Sequence, residues 1–115
     1  MAGYFEVRTR SDGQFMFNLK TDSHEIILTS EAYTTKAACM NGIESVKKNA
    51  PDDGRYRRIT APDGKFRFAL AAPNGQVVGG SESYETEAAR DDGIQIVKMN
   101  APDAEVKDLA DFRPL

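Results

Sequence analysis

Tryptophan is missing from this 115-residue chain, and cysteine and histidine occur once each, as Cys39 and His24. A lone cysteine excludes an intrachain disulfide, and one Cys with one His cannot complete a four-ligand zinc site. Any nucleophile–histidine–acid triad would have to use His24. Only 5 prolines, with 40% hydrophobic and 29% charged residues, argue against a disordered chain. No apolar run approaches the ~20 residues of a membrane-spanning helix. The opening MAGYFEV has no basic stretch leading into an apolar one, so no secretory signal is expected. A formal charge of −3 gives no overall attraction for polyanions. Neither G-x-x-x-x-G-K-[ST] nor G-x-G-x-x-G occurs, so no phosphate-cradling loop is visible, and no calcium-loop pattern is present. The expectation is a soluble, cytoplasmic, single-domain protein with no cofactor.

An internal repeat stands out against these absences. Shifted by 51 residues, segment 12–52 falls on 63–103 without a gap and with 19 identities in 41 positions. Ordinary residue usage would give about 2–3. Asp12-Gly13 matches Asp63-Gly64, and Phe15, Phe17 and Leu19 match Phe66, Phe68 and Leu70. Ser30-Glu31 and Tyr33 match Ser81-Glu82 and Tyr84, and Asn49-Ala50-Pro51-Asp52 matches Asn100-Ala101-Pro102-Asp103.

Each copy predicts three strands and a helix. QFMFNLK (14–20) and KFRFALA (65–71) alternate like half-buried strands. The D-G pairs before them are hairpin signals and put strands over 4–10 and 55–60. Third strands are expected over 25–30 and 76–81. Asn74-Gly75 is a good hairpin turn between strands, and Ser23-His24 in the first copy is a weaker one. Thr35 and Thr86 are predicted helix N-caps. Cys39, Ile43, Val46 and Ala50 form one apolar helix stripe, with Ala89, Ile94, Val97 and Ala101 as the predicted counterpart. Pro51 and Pro102 stop the helices. Gly42 and Gly93, each beside a stripe, cost about 1 kcal/mol against Ala, so close approach of the sheet or the other helix is expected there. Segment 104–109 is predicted as a last strand. The predicted units are 1–53 and 54–109, sharing one core, with 110–115 as a tail.

One such unit cannot cover its own sheet well, and two side by side can. The fold class is therefore α+β: one mainly antiparallel sheet with two helices on one face, related by a pseudo-two-fold axis. The twice-repeated G-x-F-x-F-x-L, S-E-x-Y-x-T and G-I-x-x-V-K-x-N-A-P resemble the YegP-like family over roughly residues 3–108. The resemblance implies tandem β(3)-α-β units with the C-terminal strands exchanged between repeats. It carries over no catalytic or binding residue. The second copy departs at Gly79-Gly80, where the first has Leu28-Thr29, and strand six is expected to be weakened, bulged or opened there.

Three groups of residues are candidates for chemistry. Ser30, Glu31 and Tyr33, with Ser81, Glu82 and Tyr84, bring a hydroxyl, a carboxylate and a phenol together twice. Because both halves need the same corner, the reading is structural. His24 in a turn and Cys39 on a buried stripe make a doubtful pair, and the carboxylate pairs Asp52-Asp53 and Asp91-Asp92 read as solvated surface. Charge is uneven along the chain: −2 over 1–54, +4 over 55–70 and −5 over 71–115. Arg55, Arg57, Lys65 and Arg67 are predicted to share the sheet face away from the helices. The expected function is a non-enzymatic interaction or accessory protein with an unidentified protein partner. The alternative is weak binding of RNA or single-stranded DNA by that basic face. A monomer is expected, with a homodimer as the alternative.

Overall fold

In a computed structural model describing residues 3–111, the chain builds one seven-stranded sheet and two α-helices. In chain order these are β1 (Tyr4–Thr9), β2 (Phe15–Lys20), β3 (Ile26–Thr29), α1 (Lys36–Asn49), β4 (Tyr56–Thr60), β5 (Phe66–Ala71), β6 (Val77–Gly80), α2 (Glu87–Asn100) and β7 (Glu105–Asp108). The third strands are shorter at both ends than their apolar runs suggested.

The local signals act as expected. In the D-G turns, Asp12 Oδ1 accepts from the Gln14 amide and Asp63 Oδ1 from the Lys65 amide, both at 3.0 Å. The second hairpin needs a left-handed residue in each half. Gly75 supplies it at φ 87°, and His24 takes it at φ 69°. Such a φ is uncommon for a residue with a side chain. The His24 ring is held by the Tyr4 hydroxyl, 2.8 Å from Nδ1, and stands edge-on to the Tyr4 ring. Thr35 and Thr86 cap the helices by accepting from the Ala38 and Ala89 amides at 3.0 Å.

The strand order is β4-β5-β6-β3-β2-β1-β7, antiparallel except where β7 runs parallel to β1. The strand that follows α2 thus lies on the first half, and β4, which follows α1, pairs with β5 of the second. The two three-stranded sets, β1–β3 and β4–β6, meet at a single ladder pair, Thr29–Gly80. Both helices cross that joint: α1 packs on β2, β5 and β6, and α2 packs on β3 and β5. One apolar cluster therefore takes Phe5, Phe17, Leu19, Ile43 and Val46 from the first half and Phe68, Leu70, Ile94 and Val97 from the second.

Three expectations need correction and one is narrowed. At Gly79-Gly80 strand six is bulged, not opened: the β5–β6 register shifts between Leu70 and Ala71, next to Gly79. Both glycines are in the ladder, and the register shift in β5–β6 recurs at the same place in β2–β3. Gly79 is small because a Cβ there would lie 2.8 Å from Cγ of Leu28, its own counterpart across the pseudo-two-fold. Close approach at Gly42 and Gly93 comes chiefly from the tyrosines of their own halves. A Cβ would sit 2.8 Å from Cζ of Tyr33 and 2.9 Å from Cζ of Tyr84, with Phe17 and Phe68 behind at 3.1 Å. In α2, the fully buried place matching Cys39 is held by Arg90 at 5% exposure, while Ala89 is only half-buried. The Arg90 guanidinium escapes to Asp91 at 3.1 Å and lies 5.6 Å from the centre of the Phe66 ring. Last, β7 ends at Asp108 and a 3₁₀ turn, Leu109–Asp111, follows, with Ala110 packed on the core. The expected tail beyond that turn, 112–115, lies outside the described residues.

Candidate functional site

The S-E-x-Y corners are built alike. Ser30 Oγ accepts from the Phe17 amide at 2.8 Å and donates to the Glu31 carbonyl at 2.7 Å. Ser81 Oγ accepts from the Phe68 amide at 2.9 Å and donates to the Glu82 carbonyl at 2.8 Å. Tyr33 and Tyr84 bridge to Phe15 and Phe66 and stack on Phe17 and Phe68, at 6.3 Å between ring centres in both halves. Burial, followed by neighbouring acidic groups, raises both phenols above the usual tyrosine range. A hydroxyl spent on two backbone groups and a phenol that resists ionisation are parts of a corner, not a nucleophile and its base.

Cys39 and His24 are kept in different environments. Cys39 is fully buried, and burial with Asp108 nearby pushes its thiol up to about 11. His24 is exposed in its turn, on Tyr4. A cleft of about 450 Å³ beside the end of β1 is lined, among the described residues, by Arg8, Thr9, Leu109 and Ala110, with none of the corner residues, Cys39 or His24 among them.

The sheet face away from the helices is a different surface. Alternation from core-facing Phe68 and Leu70 sends Arg67, Ala69 and Ala71 outward on β5. Cross-strand pairing puts Arg57 opposite Ala69, and Ile59 opposite Arg67. The pairing of Ala61 with Lys65 at the hairpin continues the outward parity to Lys65, whereas Arg55 closes a 3₁₀ turn, Asp53–Arg55, before β4, where strand alternation does not apply. Arg57, Lys65 and Arg67 therefore share a side, and the partners of the four predicted cations differ. Arg55 Nε lies 3.5 Å from Asp52, and Lys65 Nζ lies 3.5 Å from Glu85. Arg57 donates only to the Gly75 carbonyl, at 2.8 Å. Arg67 is exposed and, among the described residues, has no hydrogen-bond or ion-pair partner. Arg58, which lies between Arg57 and Ile59 and so faces the helices, is bound to Asp53 at 3.2 Å and Asp91 at 3.3 Å. With Lys98 at 2.7 Å from Asp53, these residues form a hydrated ion network along the β4 edge. The hydrogen bonds from Lys98 and Arg58 hold the Asp53 carboxyl below the usual aspartate range.

Sequence reasoning missed two residues here. Ile59 stands 37% exposed on the outer face, between charged neighbours that masked it as an edge residue. Glu6, on the outer face of β1, is clamped by Arg8 at 2.6 Å and Lys20 at 3.0 Å. The alternation of Glu6 and Arg8 with buried Phe5 and Val7 was the available signal.

Comparison with known proteins agrees with the duplicated build. The family model described as a domain of unknown function, DUF1508, matches twice, over residues 11–56 and 61–108. A UPF0339 protein of Bordetella pertussis is 58% identical over 108 residues, covering 94% of this chain and 96% of its own. The solution structure of Escherichia coli YegP, a protein of unknown function, superposes with a TM-score of 0.92 at 46% identity, covering 98% of this chain and 97% of that one. The solution structure of a UPF0339 protein from Shewanella oneidensis gives 0.91 at 45% identity, covering 96% and 93%.

Proposed function

This chain belongs to the DUF1508 (UPF0339) family, whose relatives are uncharacterised, and from that premise we propose that it is a non-enzymatic interaction protein of the cytoplasm. Its working surface is the outer sheet face. The observation that carries this reading is the outer side of β4 and β5, where Arg57 and Arg67 have no carboxylate partner among the described residues and neither α-helix packs. The residues that could do chemistry are otherwise engaged: the serines on backbone groups, the tyrosines under the helices, the cysteine in the core. Among the described residues no helix is long and apolar enough to cross a membrane.

The test is affinity capture from the native cell with wild type and with an Arg57→Gln/Arg67→Gln variant, each with and without nuclease. The expected result is a protein retained by wild type, insensitive to nuclease and lost with the variant. Identical retention by both forms would remove the outer face from the account.

Weak nucleic-acid binding is the second reading, favoured by Arg57, Lys65 and Arg67 on one side with Arg55 next to β4. Against it, Tyr56, Phe66, Phe68 and Tyr84 all belong to the helix side, leaving no stacking platform with the cations. Four phosphate contacts would give a slope of log K against log salt of about −3. The expected result is no binding tighter than the non-specific range of roughly 10⁻⁴ M at physiological salt.

A further inference from the structure

The outer half-face formed by β4, β5 and β6 carries Arg57, Ile59, Arg67, Ala69 and Ala71, ending at Gly80, and no outward carboxylate in those strands. We propose that this half-face docks an extended, acidic segment of a partner protein, with carboxylates on Arg57 and Arg67 and an apolar side chain over Ile59. The proposal rests on the outer face being the working surface, and it adds the partner's chemistry.

The charge argument is local. Arg67 has no partner among the described residues, and Arg57 spends one nitrogen on the Gly75 carbonyl. The remaining guanidinium N–H groups form the planar fork that carboxylates fit two at a time. Carboxylates flanking β4 and β5 already serve other cations: Asp52 with Arg55, Glu85 with Lys65, and Asp53 with Arg58 and Lys98. Two copies face to face would oppose like charges, so a second copy does not satisfy this surface.

Geometry selects an extended segment. Arg57 and Arg67 are diagonal neighbours on an antiparallel pair, where Cα atoms stand about 7–8 Å apart. Alternate residues of a strand project from one side about 6.5–7 Å apart. Carboxylates at i and i+2 therefore reach both arginines, and a long apolar side chain at i+4 folds back toward Ile59, which lies directly opposite Arg67. Ala69 and Ala71 are small and already buried, at 7% and 5% exposure, so the segment rests on the longer Arg57, Ile59 and Arg67 side chains around them. Ile59 supplies the apolar anchor, exposed beside Arg67. The absence of outward aromatic rings on these three strands favours carboxylate-bearing chain over nucleic acid.

The probe is the blocked peptide Ac-GESETLG-NH2, titrated into the ¹⁵N-labelled full chain and followed by amide shifts. Ac-GKSKTLG-NH2 and an oligothymidylate of about ten nucleotides are run alongside. The expected result is saturable shifts at 57–59, 67–71 and 80 with the acidic peptide alone, weakening with salt. Arg57→Gln/Arg67→Gln should raise the dissociation constant by about tenfold or more, while its own spectrum stays folded. Shifts with the oligonucleotide but not the acidic peptide would overturn the acidic-segment assignment while keeping the outer face in use. No shifts with either, alongside a captured protein that the double variant loses, would overturn the assignment and leave the broader reading standing. No shifts and no variant-sensitive capture would overturn both.

Discussion

Under the helices, Phe17, Leu19, Ile43 and Val46 of the first half occupy the places that Phe68, Leu70, Ile94 and Val97 hold in the second. On the opposite face the correspondence ends. Glu6, Arg8, Met16, Asn18, Lys20 and Thr29 give way to Arg57, Ile59, Arg67, Ala69, Ala71 and Gly80. In the first half these residues satisfy each other: Glu6 holds Arg8 and Lys20, and Asn18 donates to Thr29 at 2.9 Å. In the second they are short or left reaching outward. The free edges differ in the same way. Phe5 and Val7 of β1 are fully buried, with β7 alongside. Among the described residues no further strand lies beside β4, and Asp53, Arg58 and Asp91 stand where the β1 edge has Ala104, Val7 and Met40. A charged edge resists pairing with another sheet. Packing under a shared pair of helices keeps two copies alike, and a face with nothing packed on it is released from that constraint.

The largest expected effect comes from removing the cover that only one half possesses. Ending the chain at Asp103 deletes β7 and bares the edge of Phe5 and Val7. With about 1.5–3 kcal/mol for each large side chain re-exposed, the stability loss should exceed ~3 kcal/mol, with self-association through the β1 edge. Urea unfolding and light scattering read both. A monomer as stable as wild type would mean that β7 does not serve as a cover.

The equivalence of the inner faces is sharpened by Gly42→Leu and Gly93→Leu. Each drives a side chain into a tyrosine ring, at a cost of about 1–3 kcal/mol or more by overpacking. Because the two sites match, their urea midpoints should fall together. A loss confined to one variant would break the equivalence.

The joint of the halves offers a compensation test. Leu28→Gly removes a fully buried side chain and should cost about 2–5 kcal/mol. Gly79→Leu overlaps Leu28 and should cost about 1–3 kcal/mol. The double exchange moves the leucine across the pseudo-two-fold and should cost less than the sum of the two. Strict additivity in calorimetry would mean that the two positions do not share one space.

A smaller effect separates the outer faces by pH. Burial works against the Glu6 charge, but hydrogen bonds from Lys20 and Arg8 prevail and hold its carboxyl below the usual glutamate range. A depressed folded-state value contributes stability that is present above the ordinary glutamate range and lost as pH falls through the folded value. Glu6→Gln should therefore flatten the acid limb of the stability–pH profile. Arg57→Gln at the matching position should leave that limb as it is.

Much of this was legible in residues close together in the chain. The D-G turns, the Thr35 and Thr86 caps and the alternation through Phe66, Arg67 and Phe68 follow from local backbone chemistry, so the elements and the outward side of the cations could be read directly. The burial of Arg90 could not, because it depends on its guanidinium lying over the Phe66 ring while also reaching Asp91. The reason for Gly79 lies in Leu28, which is remote in sequence and meets it only across the joint. The division of the basic stretch into occupied and unoccupied cations was likewise hidden. Arg58 is neutralised by α2 through Asp91, and nothing in residues 55–67 announces that.

The most direct test sets the two outer faces against each other in one experiment. Arg57→Gln/Arg67→Gln and Arg8→Gln/Lys20→Gln are compared by thermal unfolding and by titration with Ac-GESETLG-NH2. The account predicts that the first pair loses the peptide and keeps its melting temperature within a few degrees, since exposed, weakly partnered charges contribute about 0–1 kcal/mol. The second pair strands the buried Glu6 carboxylate, so it should melt at a lower temperature and keep the peptide. A first pair that destabilises the fold while the second abolishes binding would contradict the division between a self-satisfied first half and an outward-reaching second half.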